Sequence, residues 1–61
     1  MSTPRTDTDR LNWLVQMGYL PELGRLFSGG WLLEGDRAVY VDKSDDPRAV
    51  IDQAMDAEEA R

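Results

Sequence analysis

The residues with most chemistry to offer are six carboxylates in the last third of the chain: Asp42, Asp45, Asp46, Asp52, Asp56 and Glu59. General acid–base catalysis most often uses histidine, and the sequence has none. Cysteine is also absent, which removes thiol nucleophiles, disulfides and zinc held by cysteine and histidine. The serines, Ser2, Ser28 and Ser44, have no plausible activating base beside them. Ser28-Gly29-Gly30 lacks the lysine and the spacing of a phosphate loop and reads as a turn. Asp42, Ser44 and Asp46 alternate like the opening of a calcium loop. However, Pro47 stands where the loop needs glycine, and no incoming helix precedes them. No enzymatic activity, cofactor or metal is therefore expected, and binding is what the carboxylates can do.

Their spacing gives that binding a shape. Asp52, Asp56 and Glu59 lie four and three residues apart, so a helix stacks them in one stripe. Like charges at a spacing of four disfavour a helix by a few tenths of a kcal/mol, and no lysine at that spacing relieves them. Acids late in a helix also oppose its dipole. The stripe is either the solvated face of an amphipathic helix or a surface kept for a cationic partner. Carboxylates four residues apart are separated by about 6 Å along the axis. Duplex DNA carries a charge every ~1.7 Å. One stripe is too sparse to imitate a duplex, and Asp42, Asp45 and Asp46 at the helix entrance, or a second copy, bring the density nearer.

The elements that must position these acids can be read in order. Residues 1–5 read as a flexible tail, and residues 6–61 as one domain. Thr6-Asp7-Thr8-Asp9 matches a capping box, and a helix is expected from about Asp7 to Met17, closed by Gly18. Leu11, Leu14 and Val15 share its apolar face, with Trp13 and Met17 on a flank. Residues 21–27 allow two readings: a helical turn opened by Pro21 with Leu23, Leu26 and Phe27 pointing inward, or a strand over Arg25 to Phe27. Trp31 to Val41 predicts a hairpin turning at Gly35-Asp36, a two-residue loop with glycine first. That register pairs Glu34 with Arg37, Leu33 with Ala38, Leu32 with Val39 and Trp31 with Tyr40. Trp31, Leu33, Ala38 and Tyr40 then share the face favoured as core. Leu32, Val39 and Val41 share the other, a candidate contact surface. Asp46 and Pro47 begin a second helix, which should fray after about Ala57. It turns Val50, Ile51, Ala54 and Met55 to one side. The fold class is α+β, with helix, short irregular or helical turn, β-hairpin and helix in order. The expected core is Leu11, Leu14, Val15, Leu33, Tyr40, Ile51, Ala54 and Met55.

Size and charge narrow the partners. A chain of 61 residues removes only about 60% of its unfolded surface on folding and is marginally stable. Without disulfides or zinc, self-association or a well-packed core must make up the difference. The net charge of −5 is uneven. Residues 1–41 hold five acids and four bases, and residues 42–61 hold seven acids and three bases. Direct nucleic-acid binding is disfavoured and a basic partner favoured. No run approaches a membrane span, and the opening residues lack a signal peptide's apolar core, so a cytoplasmic location is expected.

Asp9-Arg10-Leu11-Asn12-Trp13-Leu14, with Asp46-Pro47-Arg48-Ala49-Val50-Ile51-Asp52-Gln53-Ala54-Met55, resembles small proteins encoded by bacteriophages and prophages. These typically have a variable middle with a tryptophan-containing strand. Size and acidic balance are similar to anti-CRISPR proteins, in particular those acting on type I effector complexes. The resemblance covers both helices and leaves Tyr19 to Tyr40 unaccounted for. It implies a stoichiometric inhibitor acting in the cytoplasm of an infected bacterial host. Such an inhibitor occupies the positively charged surface where Cascade receives target DNA near the protospacer-adjacent motif. Asp42, Asp45, Asp46, Asp52, Asp56 and Glu59 are the acids available for that role. The rival expectation is a phage-encoded interaction module or homodimer that uses the apolar hairpin face.

Overall fold

The computed structural model describes residues 5–60. Helix α1 spans Asp7–Met17, and a single 3-10 turn spans Leu20–Glu22. Strands β1 (Leu23–Arg25), β2 (Trp31–Glu34) and β3 (Val39–Asp42) follow, then helix α2 (Pro47–Glu59). The fold is α+β, as expected. The expected hairpin is part of a three-stranded antiparallel sheet in the order β1-β2-β3. Of the two readings of residues 21–27, the helical turn is present at Leu20–Glu22, while the strand expected over Arg25 to Phe27 lies earlier, at Leu23–Arg25, and shares only Arg25 with it. The expected tail includes residues 1–4, which lie outside the described residues.

Helix boundaries follow from local chemistry. The Thr6 hydroxyl accepts from the Asp9 N–H, and the Asp9 carboxylate accepts from the Thr6 N–H, both at 3.1 Å. The capping box is therefore closed. The Asp46 carboxylate accepts from the Arg48 N–H at 3.0 Å, with Pro47 at the first helical position. α2 runs to Glu59, past the expected fraying point, because its last turn is held by side-chain contacts described below.

The hairpin turns one residue later than expected. β2 and β3 pair Trp31 with Asp42, Leu32 with Val41, Leu33 with Tyr40 and Glu34 with Val39. The Gly35 N–H donates to Ala38 O at 2.9 Å and leaves Asp36-Arg37 as the loop. Gly35 is not among the glycines with positive φ. It is small for want of space: a Cβ there would lie 3.2 Å from the Tyr40 ring and 3.4 Å from the Tyr19 ring. A glycine taken for turn geometry thus serves close packing. The register moves by two residues, so the faces keep the expected membership.

α2 covers the inner sheet face, and α1 packs on α2. The core is Leu14, Tyr19, Leu33, Tyr40, Val50, Ile51, Ala54 and Met55. Two expected core residues are corrected: Leu11 is 52% exposed and Val15 60%. α1 is rotated so that Arg10, Trp13 and Leu14 face the rest of the molecule, with Trp13 edge-on to Tyr19 at 5.5 Å. Tyr19 replaces the missing apolar volume. Its hydroxyl donates to Glu58 at 3.0 Å and accepts from the Asp36 N–H at 3.2 Å, which ties α2 to the hairpin loop. Phe27, expected inward, is fully exposed beyond the end of β1. β1 ends at Arg25, and Phe27 falls in the tight turn closed by the Gly29 N–H to Leu26 O bond.

Candidate functional site

Two surfaces compete for a functional role, and the first is the acidic stripe. α2 stacks Asp52, Asp56 and Glu59 on one side, and this side meets arginines from the front of the chain. Arg10, one turn before buried Leu14, grips Asp52 with two hydrogen bonds of 2.9 and 3.0 Å. Arg5 reaches Asp52 at 3.5 Å, Asp56 at 2.6 Å and Glu59 at 3.4 Å. Arg48 pairs with Asp7 through two bonds and with Asp46 at 3.0 Å, and Arg10 also reaches Asp7 at 3.1 Å. The result is a continuous chain of charges along the seam between α1 and α2.

The electrostatics agree with the geometry. Hydrogen bonds from Arg10 hold the Asp52 carboxyl below its ordinary value, against the opposing effect of partial burial. Hydrogen bonds from the Arg48 side chain do the same for Asp7, and the Arg48 backbone N–H leads for Asp46. The arginines are raised in turn, Arg48 most. Bidentate arginine–carboxylate pairs are the stronger kind of ion pair. The unfavourable spacing within α2 is thus relieved from another element, across the seam.

Of the six expected binding acids, the seam gathers Asp46, Asp52, Asp56 and Glu59. Asp42 and Asp45 lie elsewhere. Asp42 accepts from the Ser44 N–H at 2.8 Å, and Ser44 Oγ accepts from the Asp46 N–H at 3.1 Å. The alternation that resembled a calcium loop is a run of side chains each capping the N–H two residues on, leading into the α2 cap. Among the described residues, no group of three or more His, Cys, Asp and Glu side chains is placed to hold a metal ion. Asp45 lies 3.6 Å from Arg25, near the Trp31 indole, whose N–H donates to Asp45 O at 2.9 Å. Sequence reasoning missed Arg5, Arg10, Arg48 and Asp7. The available signal was Arg10 standing four residues before Leu14, on the packed side of the helix.

The second surface is the outer face of the sheet. The registers place Gly24, Leu32 and Val41 in one row across the three strands and Glu34 beside Val39 in the next. Continuing both ladders by one pair adds Leu26, Gly30 and Lys43; the Leu26 N–H donates to Gly30 O at 3.0 Å. Gly30 has φ 94°, and a Cβ there would sit 2.7 Å from Lys43 Cα, so only glycine fits. Beside it opens a hollow of about 410 Å³ lined by Leu26, Ser28, Gly29, Val41 and Lys43. Among the described residues, the helix that packs on the sheet, α2, lies on the other side, over Leu33 and Tyr40. Val39 is 60% exposed and Val41 45%.

A third feature is an apolar cleft of about 270 Å³ between the helices and β1, floored by Leu14, Leu23 and Ile51. Its charged rim, Asp7, Arg10 and Arg48, is already paired within the chain. Among the described residues, no helix is long and apolar enough to cross a membrane. Comparison with protein-family models, curated proteins and solved structures finds no match to this chain.

Proposed function

We propose that this chain is a non-catalytic interaction module whose contact surface is the largely apolar outer face of its sheet. The observation that carries this reading is the contrast across β2 and β3. Leu33 and Tyr40 are buried beneath α2, while their strand neighbours Val39 and Val41 are exposed. Exposed contiguous apolar surface in a small domain marks association. A neutral apolar dye such as Nile red tests the face directly. Folded wild type should bind it, with little change between about 50 and about 500 mM salt, and Val41→Glu, at an exposed site, should abolish binding without unfolding the chain. Dye binding that survives Val41→Glu, or that vanishes with added salt, would overturn the reading.

A second reading, an acidic mimic, rests on the carboxylates that stay exposed along the seam. Arg5 is shared among three carboxylates, and the side chains of Asp56 and Glu59 remain 69% and 66% exposed, with Asp45 at 86%. In that reading the chain resembles the anti-CRISPR inhibitors and presents these acids to the DNA-binding surface of a type I Cascade complex. Reversal of Asp56 and Glu59 to lysine then abolishes inhibition of target-DNA binding by purified Cascade. Asp52 is unsuitable for such a test, because Asp52→Lys sets a cation against Arg10 and Arg5. Unchanged inhibition in the Asp56→Lys, Glu59→Lys variant would exclude the mimic.

A further inference from the structure

We infer that the occupant of the outer sheet face is a second copy of this chain, related by a two-fold axis that runs parallel to the row of Gly24, Leu32 and Val41 and above it. This rests on the reading that the outer face is the contact surface, and it names the partner. The face carries its own complement. Glu34 stands at the hairpin end, and Lys43 at the other. Neither has an ion-pair partner among the described residues. Val39 faces Glu34 and Lys43 lies four residues further on, so the two charges are about 13 Å apart along the strands and do not meet within one copy. A two-fold axis lying in the plane between two stacked sheets, perpendicular to the strands, reverses the order of the rows. It brings Glu34 of each copy toward Lys43 of the other and lays Leu32 and Val41 on their own counterparts. An isologous contact requires this self-complementarity.

Gly24 and Gly30 contribute no side chains, so the two sheets can approach closely. The size of the chain points the same way, since a domain this small, without disulfides or zinc, commonly gains stability from a partner subunit. The face is limited to a few side chains, which places the contact at the small end of interfaces. The dimer is correspondingly weak, with Kd between about 10 µM and about 1 mM.

Sedimentation equilibrium of the full chain over that concentration range tests the inference. Wild type should move from monomer to dimer. Val41→Glu should raise Kd by at least about tenfold, and circular dichroism should show it still folded because the site is exposed. Glu34→Lys and Lys43→Glu should each weaken the dimer by about threefold, and the double exchange should restore it. A dimer that survives Val41→Glu, as pairing along the free edge of β3 would produce, overturns the inference. Monomer throughout also overturns it. In that case retained Nile red binding leaves the contact-surface reading standing, and loss of dye binding removes both.

Discussion

The seam between the helices and the outer face of the sheet differ in how much of their chemistry is used at home. The seam holds the conspicuous charges, and the fold consumes most of them: Asp7, Asp46 and Asp52 are each tied to an arginine. The outer face is an ordinary alternation of apolar residues, and the fold leaves Val39 and Val41 exposed on it. A conspicuous pattern is therefore a weak guide to function until its internal partners are counted. Val39 and Val41 are the more informative residues because they stay exposed in the folded chain.

The largest effect should separate neighbours on opposite faces. Leu33, with no exposure, should lose about 3 kcal/mol on Leu33→Ala, a large part of a small domain's stability. Leu32→Ala should cost less than about 1 kcal/mol. Urea unfolding of the two variants checks this, and equal losses would mean that the outer face is packed after all.

Next come the two buried tyrosines. Tyr19 uses its hydroxyl twice, whereas the buried Tyr40 hydroxyl has no partner among the described residues. Although the Asp36 N–H favours the ionised form, burial and Glu58 prevail and hold the Tyr19 phenol above its ordinary value. Tyr19→Phe should cost about 1–2 kcal/mol, because the Asp36 N–H loses its acceptor. Tyr40→Phe should be within about 0.5 kcal/mol of wild type, or more stable, since it removes a polar atom that makes no bond. Thermal unfolding of both variants decides the matter.

The seam supplies a smaller, pH-dependent effect. Asp7, Asp46 and Asp52 have folded-state values below those of the unfolded chain. Their stabilisation is therefore complete above the unfolded value, near pH 4, and is lost as pH falls through the lower folded values. Wild type should lose stability progressively below about pH 4, and Asp52→Asn should flatten that dependence. At neutral pH Asp52→Asn should cost about 1 kcal/mol, discounted for the exposure of the pair. An unchanged pH profile would mean that the Asp52–Arg10 contact contributes little.

The helices were legible because their signals are local: the capping box at Thr6 and the Asp46-Pro47 start each act within four residues. The membership of the sheet faces was legible for a similar reason, since alternation survives a register shift of two. What was not legible depended on distant partners. Arg10 could be placed on the packed side of α1 by its distance from Leu14, but its pairing with Asp52 spans 42 residues. The burial of Tyr19, the exposure of Leu11 and Val15, and the third strand at Leu23 likewise follow from how the elements dock. Among the expected binding acids, the stripe over Asp52, Asp56 and Glu59 was legible as a stripe, but its neutralisation by Arg5 and Arg10 was not.

The central claim is that this protein makes contact through the outer face of its sheet. Methyl-resolved NMR tests it most directly, following leucine and valine signals as the concentration rises from about 10 µM to about 1 mM. The account predicts progressive shifts at Leu32, Val39 and Val41, with Val50 and Leu33 unmoved. Shifts confined to residues bordering α2 and its carboxylates, with the outer face silent, would contradict it.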